Sequence, residues 1–158
     1  MLKSVAKQTG AVRSDHRFAI VAAKYNQKYV DGMLMAAKKT LRTAGARPSH
    51  VTVVRVPGSF EIPVVAAKLA AREERQCSAV ICLGVILRGE TSHADHIGLS
   101  VSQALLNIQV THLIPVIHEV LVLQDERQAQ VRCLSKTHNR GAEAAQTAIA
   151  MANLVTAL

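Results

Sequence analysis

Apolar positions along the chain alternate between two rhythms. Phe18 to Lys24 (FAIVAAK) is a continuous apolar run of strand length, the pattern of a buried strand. Val30, Met33, Leu34, Ala37, Leu41 and Ala44 then recur at helical spacing, and Gly45 follows as a C-terminal stop. Val51 to Val56 is β-branched and strand-like, ended by Pro57-Gly58. Pro63 suits the first turn of a second helix through Leu69 and Ala71. Within Cys77 to Leu87 lies a third strand, with Ala79 to Leu83 as its core and Gly84 to Gly89 as a glycine-bracketed turn. Ile97, Val101, Ala104, Leu105 and Ile108 mark a third helix, which Ser92 and Asp95 begin as a capping box. Leu113 to Ile117 reads as a fourth strand. A short polar helical piece near Gln128 to Leu134 precedes an alanine-rich final helix from Ala142 to Leu158. Residues 1 to 14 have no periodicity and read as an extended arm.

Strand and helix alternating through short turns predict a parallel sheet with helices on both faces, a three-layer αβα sandwich around four strands. Residues 1–158 form one domain on this reading, with no repeat or linker. Ligands of such sheets sit outside the carboxyl ends of the strands. The loops of interest are therefore Lys24-Tyr25-Asn26, Pro57 to Glu61, Gly84 to His93, and His118-Glu119.

Composition narrows the picture. The 158 residues are 49% hydrophobic with four aromatics, Phe18, Tyr25, Tyr29 and Phe60, a balance that suits a compact α/β core. Apolar runs fall far short of a membrane span and the N-terminus lacks a signal-peptide core, so the cytoplasm is the expected compartment, with no membrane partner. Three cysteines without a CxxC read as reduced structural thiols. A net charge of +8 raises a nucleic-acid partner, but the basic residues are scattered and no aromatic platform interleaves them. A basic surface that attracts small anions is the preferred reading.

The chemistry concentrates between Gly84 and His93. Backbone N–H groups and the dipole of the helix that follows suit an oxyanion, and His93 in its first turn supplies a proton carrier. The Gly84-to-Thr91 spacing resembles a P-loop with Glu90 where the lysine belongs, which argues against a nucleoside triphosphate; an ordinary strand-to-helix turn is the competing reading. His93 and His96 alone do not make a zinc site, and His16, His50, His112 and His138 read as surface residues. In Val56 to Pro63, Phe60 offers a face to a flat ring and Glu61 an acceptor to hydroxyls or ring N–H groups, against the plainer reading of a turn and helix start. Tyr25 lies at the mouth of the first strand, where it can stack on the same ring.

These loops together resemble the lumazine synthase family. The resemblance rests on AKYN (Ala23 to Asn26), VRVPGSFEIP (Val54 to Pro63), LGVILRGETSH (Leu83 to His93), PVI (Pro115 to Ile117), KTHNRGAEAA (Lys136 to Ala145) and AMANL (Ala150 to Leu154), which span nearly the whole chain. It implies a flavodoxin-like fold and the condensation of 5-amino-6-(D-ribitylamino)uracil with 3,4-dihydroxy-2-butanone 4-phosphate, without metal or organic cofactor. By position it implies that Tyr25 stacks on the pyrimidine, that Ser59, Phe60 and Glu61 hold the ribityl chain, and that Val85, Ile86 and Leu87 line the ring pocket. Glu90 and Thr91 would bind phosphate through their N–H groups, His93 would carry protons, and Arg132 of a neighbouring subunit would clamp the phosphate. Lys136 and Glu143 match positions nearby. Four residues depart from the family's pattern: His118 replaces the aromatic that closes the pocket from the adjacent subunit, Ala94 and His96 stand where aromatics are common, and Tyr25 replaces Phe or Trp. The resemblance also implies a homo-oligomer, a pentamer or shells built from it up to sixty subunits, with riboflavin synthase as a further partner. The absence of an insertion between Lys136 and Gly141 favours the shell. A carrier or shell protein without catalysis is the alternative, supported only by the changed aromatics; a basic nucleic-acid-binding protein is a third.

Overall fold

The computed structural model describes residues 10–158. Four parallel strands, β1 (Phe18–Ala23), β2 (Val51–Val56), β3 (Ala79–Leu87) and β4 (Val116–Leu123), form one sheet in the order β2-β1-β3-β4. Helices α1 (Gln27–Thr43) and α5 (Arg140–Thr156) cover one face; α2 (Ile62–Ala70) and α3 (His93–His112) cover the other. A short α4 (Glu126–Ala129) continues into a π-helical turn, Gln130–Leu134. This is the expected three-layer, flavodoxin-like sandwich. Of the expected arm, residues 1–9 lie outside those described, and Gly10 to Arg13 run without regular structure, held by Val12 N–H to the Ala44 carbonyl and by Asn153 to the Ala11 carbonyl.

The unbroken apolar runs follow from burial on both faces. Phe18, Ile20 and Ala22 of β1 join the core under α1 and α5, while Ala19, Val21 and Ala23 join the core under α2 and α3. Burial of such side chains contributes about 1.5–3 kcal/mol for each large one. Helix α5 packs on α1 closely enough that a Cβ at Gly141 would stand 2.0 Å from the Met33 carbonyl oxygen, so no larger residue fits this crossing. All three cysteines are buried free thiols; burial pushes Cys82 well above its ordinary value and Cys133 up to about 12, which leaves both inert. No helix among the described residues is long and apolar enough to cross a membrane.

Four local expectations are corrected. The fourth strand spans Val116–Leu123 rather than Leu113 to Ile117, because Leu113 takes a left-handed conformation that ends α3 and Pro115 leads in. Gly84 is not in a turn: β3 continues through it to Leu87, paired residue for residue with β4. The Ser92–Asp95 capping box does not form, because Asp95 pairs with Arg88 at 2.5 Å and Ser92 Oγ lies 3.3 Å from His96 Nε2. His16 is buried rather than on the surface, packed edge-on against Phe18 with Nε2 3.3 Å from the Thr156 hydroxyl.

Candidate active site

Because the strands are parallel, their carboxyl ends share one edge, and the chain leaves each strand there through backbone contacts to its neighbours. Lys24 N–H donates to the Val56 carbonyl (2.8 Å) and Tyr25 N–H to the Pro57 carbonyl (3.0 Å), extending the β1–β2 ladder past both strands. Asn26, at φ 53°, starts α1 and donates through Nδ2 to the Val85 carbonyl (2.8 Å), which ties this exit to β3. Asparagine tolerates that left-handed conformation better than most residues. On the β2 exit Glu61 accepts from Gly58 N–H (2.8 Å), closing the turn that presents Phe60. Ser59 is buried beneath it, and a Cβ at Gly84 would lie 2.5 Å from Ser59 Oγ, so the glycine makes room for the serine inside the strand.

These exits surround an open cavity of about 710 Å³. Tyr25 and Phe60 stand at its mouth, 73% and 61% exposed, two aromatic faces without an aromatic partner among the described residues. Ser59 and Glu61 line the same side, and Val85, Ile86 and Leu87 form an apolar wall. Thr91 and His93 close the other end, where α3 begins. Among the described residues the amides of Gly89, Glu90, Thr91 and Ser92 find no protein acceptor, so the start of α3 keeps donors free for an anion. Among the described residues the lining holds no Lys or Arg: its ionisable groups are Tyr25, Glu61, His93 and His96.

The model of the 6,7-dimethyl-8-ribityllumazine synthase family matches residues 15–156. The chain is 42% identical over 142 residues to the 6,7-dimethyl-8-ribityllumazine synthase of Aquifex aeolicus, covering 90% of this chain and 91% of that one. It is 41% identical to the enzyme of that name from Desulfotalea psychrophila (94% and 96% covered), and 34% identical to that of Stenotrophomonas maltophilia strain R551-3 (90% of both). The chain belongs to the lumazine synthase family. Its members are transferases of riboflavin biosynthesis, and its function is theirs.

Set beside the lumazine synthase expectations, the structure brings Tyr25, Ser59, Phe60, Glu61, Val85, Ile86, Leu87, Thr91 and His93 around one cavity. Glu90 lies on the exposed turn before α3 and its side chain does not line the cavity. His118 and Arg132 stand apart from it within the chain. The expected loop at His118-Glu119 is instead the middle of β4; His118 faces α3, with Nε2 2.8 Å from Ser102 Oγ. Arg132 projects from the π-helical turn after α4. The residues missed by sequence reasoning are Ile97 and Ser100, four and seven positions after His93 on the same helical face, and Asn26, which pins the β1 exit. Helical spacing from His93 was the signal for the first two.

A second polar cluster lies across β4. Glu119 is buried, accepting from Arg140 Nε (2.7 Å) and Nη2 (3.4 Å), while Arg140 Nη1 donates to Glu143 (2.5 Å). Burial pushes the Glu119 carboxyl above its ordinary range, and Arg140 offsets part of that push. Burial would lower Arg140, but its two carboxylates hold the guanidinium charged. Lys136 is exposed on the loop before α5 and makes no contact with the cavity.

Proposed function

We propose that this chain condenses 5-amino-6-(D-ribitylamino)uracil with 3,4-dihydroxy-2-butanone 4-phosphate to give 6,7-dimethyl-8-ribityllumazine, phosphate and water. The observation that carries the reading is the single cavity in which two exposed aromatics, a buried serine, a carboxylate, free helix-start amides and a histidine converge. The pyrimidine stacks on Tyr25 beside the apolar wall of Val85, Ile86 and Leu87. Its ribityl hydroxyls meet Ser59, Glu61 and the backbone around Phe60. The phosphate of the second substrate sits at the amides of Glu90 and Thr91.

The substrate's aromatic amine is the nucleophile, so no activated serine or cysteine is required. It attacks the ketone and water leaves to form the imine; a proton lost from carbon lets phosphate depart, leaving an enol that becomes the second carbonyl; the second amine then closes the ring onto that carbonyl with loss of a second water. Holding two substrates in contact offsets roughly 7–11 kcal/mol of barrier. His93 carries protons, worth on the order of 10²–10⁴ in rate. Charge on the departing phosphate is met by the α3 amides and by Arg132 of an adjacent subunit, with His118 of that subunit closing the pyrimidine pocket.

The need for a neighbour is supported by the surface of α3. Leu99, Leu106 and Leu113 recur at seven-residue intervals with Val110 between them, all more than half exposed, a stripe suited to packing one α3 against another. The assembly is a pentamer, the uninterrupted Lys136-to-Gly141 segment favours a sixty-subunit shell, and riboflavin synthase of the cytoplasm is the further partner. Size-exclusion chromatography and negative-stain microscopy distinguish shell from pentamer. Mixing the protein with both substrates and following lumazine absorbance and fluorescence tests the activity. Product at the spontaneous rate, with His93→Ala indistinguishable from the unaltered chain, would overturn the reading.

A further inference from the structure

We propose that His96 is a second phosphate-binding residue of the cavity, the cation that this chain itself supplies to the phosphate-bearing substrate. The inference rests on the reading of the cavity given above and adds a residue to it. A phosphate ester brings close to two negative charges, and among the described residues the cavity lining carries no Lys or Arg, while its one carboxylate, Glu61, is unfavourable to an anion. Arg88, in the turn before α3, is engaged by Asp95 at 2.5 Å. Only His93 and His96 among the lining residues can become cationic.

Helical geometry sets the two rings over the same spot. Residues three apart lie about 60° apart around the axis and about 4.5 Å along it. Side chains of a helix lean toward its N-terminus, so His96 covers the first turn of α3 rather than the second. The contact between His96 Nε2 and Ser92 Oγ, 3.3 Å, is the mark of that lean. It occupies one ring nitrogen and leaves Nδ1 without a protein partner among the described residues. An imidazolium there donates Nδ1–H to phosphate oxygen while Nε2–H donates to Ser92, beside the free amides of Gly89 to Ser92. The two histidines then divide the work. His96 donates to the phosphate, and His93 is left to accept a proton.

The ionisable groups that line the cavity with His96 are His93 of α3, Glu61 from the β2 exit and Tyr25 from the β1 exit; Asp95, Arg88 and Glu90 stand close to it in sequence. Arg88 and Asp95 neutralise each other. The test uses inorganic phosphate as the probe, titrated calorimetrically into the assembled protein at pH 6.5 and pH 8.5, for the unaltered chain, His96→Phe and His96→Gln. Phosphate is expected to bind about tenfold more weakly to His96→Phe at pH 6.5, with His96→Gln between the two. At pH 8.5 the three should converge. In steady-state assays KM for the butanone phosphate should rise and KM for the ribitylaminouracil should hold within twofold. Phosphate affinity within twofold of the unaltered chain at pH 6.5, or an equal loss at both pH values, would overturn the proposal. If the unaltered chain forms no lumazine yet phosphate binding depends on His96, the function fails and this inference stands. If lumazine forms and phosphate binding ignores His96, the inference alone fails.

Discussion

Replacing Arg140 with methionine removes the only cation among the described residues that touches the buried Glu119. Arg140→Met deletes the contacts at 2.7 and 3.4 Å to Glu119 and the one at 2.5 Å to Glu143, and leaves two carboxylates facing an uncharged side chain. Breaking a buried ion pair from one side costs about 3–5 kcal/mol. The low end applies, because the Arg140 side chain is 31% exposed and water enters the space it vacates, whereas that of Glu119 is 5% exposed. About 3 kcal/mol corresponds to a fall in Tm of roughly 6–12 °C for a chain of this length. The sign of the pH dependence follows from Glu119. Its folded pKa already lies above the ordinary range and rises further without Arg140, so the folded state binds more protons than the unfolded one in that window. The variant should therefore regain stability as pH falls through the raised pKa, and lose it again as pH rises. Thermal melts at pH 7 and pH 5 measure both effects. Glu119→Gln combined with Arg140→Met should restore most of the loss at pH 7, since no charge remains buried. A single variant melting within about 2 °C of the unaltered chain at pH 7, or falling equally at both pH values, would refute the reasoning.

Other perturbations test other parts. His16→Leu should stabilise the fold by about 1 kcal/mol at pH 5 and by less at pH 8: burial lowers the His16 pKa, Nδ1 has no partner among the described residues, and the penalty of protonation grows as pH falls below the ordinary histidine value. Equal melting of both chains at pH 5 would reject this. Gly84→Ala should displace Ser59, cost about 1–3 kcal/mol and raise KM for the ribitylaminouracil more than for the phosphate substrate; an unchanged ratio of the two would count against the cavity's orientation. His118→Phe should change KM for the pyrimidine substrate by more than that for the phosphate substrate, and an unchanged ratio of the two would remove His118 from the pocket.

Most of the cavity's lining was legible because it depends on local sequence. The strands end where apolar runs meet Tyr25-Asn26, Pro57-Gly58 and Arg88-Gly89, and parallel pairing brings those ends to one edge. What could not be read depended on residues far apart in sequence. Glu119 looked like the end of a strand because a carboxylate seldom continues one; Arg140, 21 residues later, is what allows β4 to run on to Leu123. Gly84 looked like a turn because its reason for being glycine is Ser59, on another loop. His16 looked exposed because the end of α5, which covers it, is 140 residues away. The capping box failed locally, since Arg88 competes for Asp95.

Arg132 and His118 lie outside the cavity that holds His93. If neighbouring chains supply them, catalytic competence is a property of each contact rather than of each polypeptide. Two dead chains can then make a living ring. In an equimolar co-assembly of His93→Ala with Arg132→Ala, about a quarter of the head-to-tail contacts would pair an intact cavity with an intact clamp. Activity would reappear on mixing unfolded chains before assembly and stay absent on mixing finished rings. Genetically, the two lesions would complement one another within a single cistron.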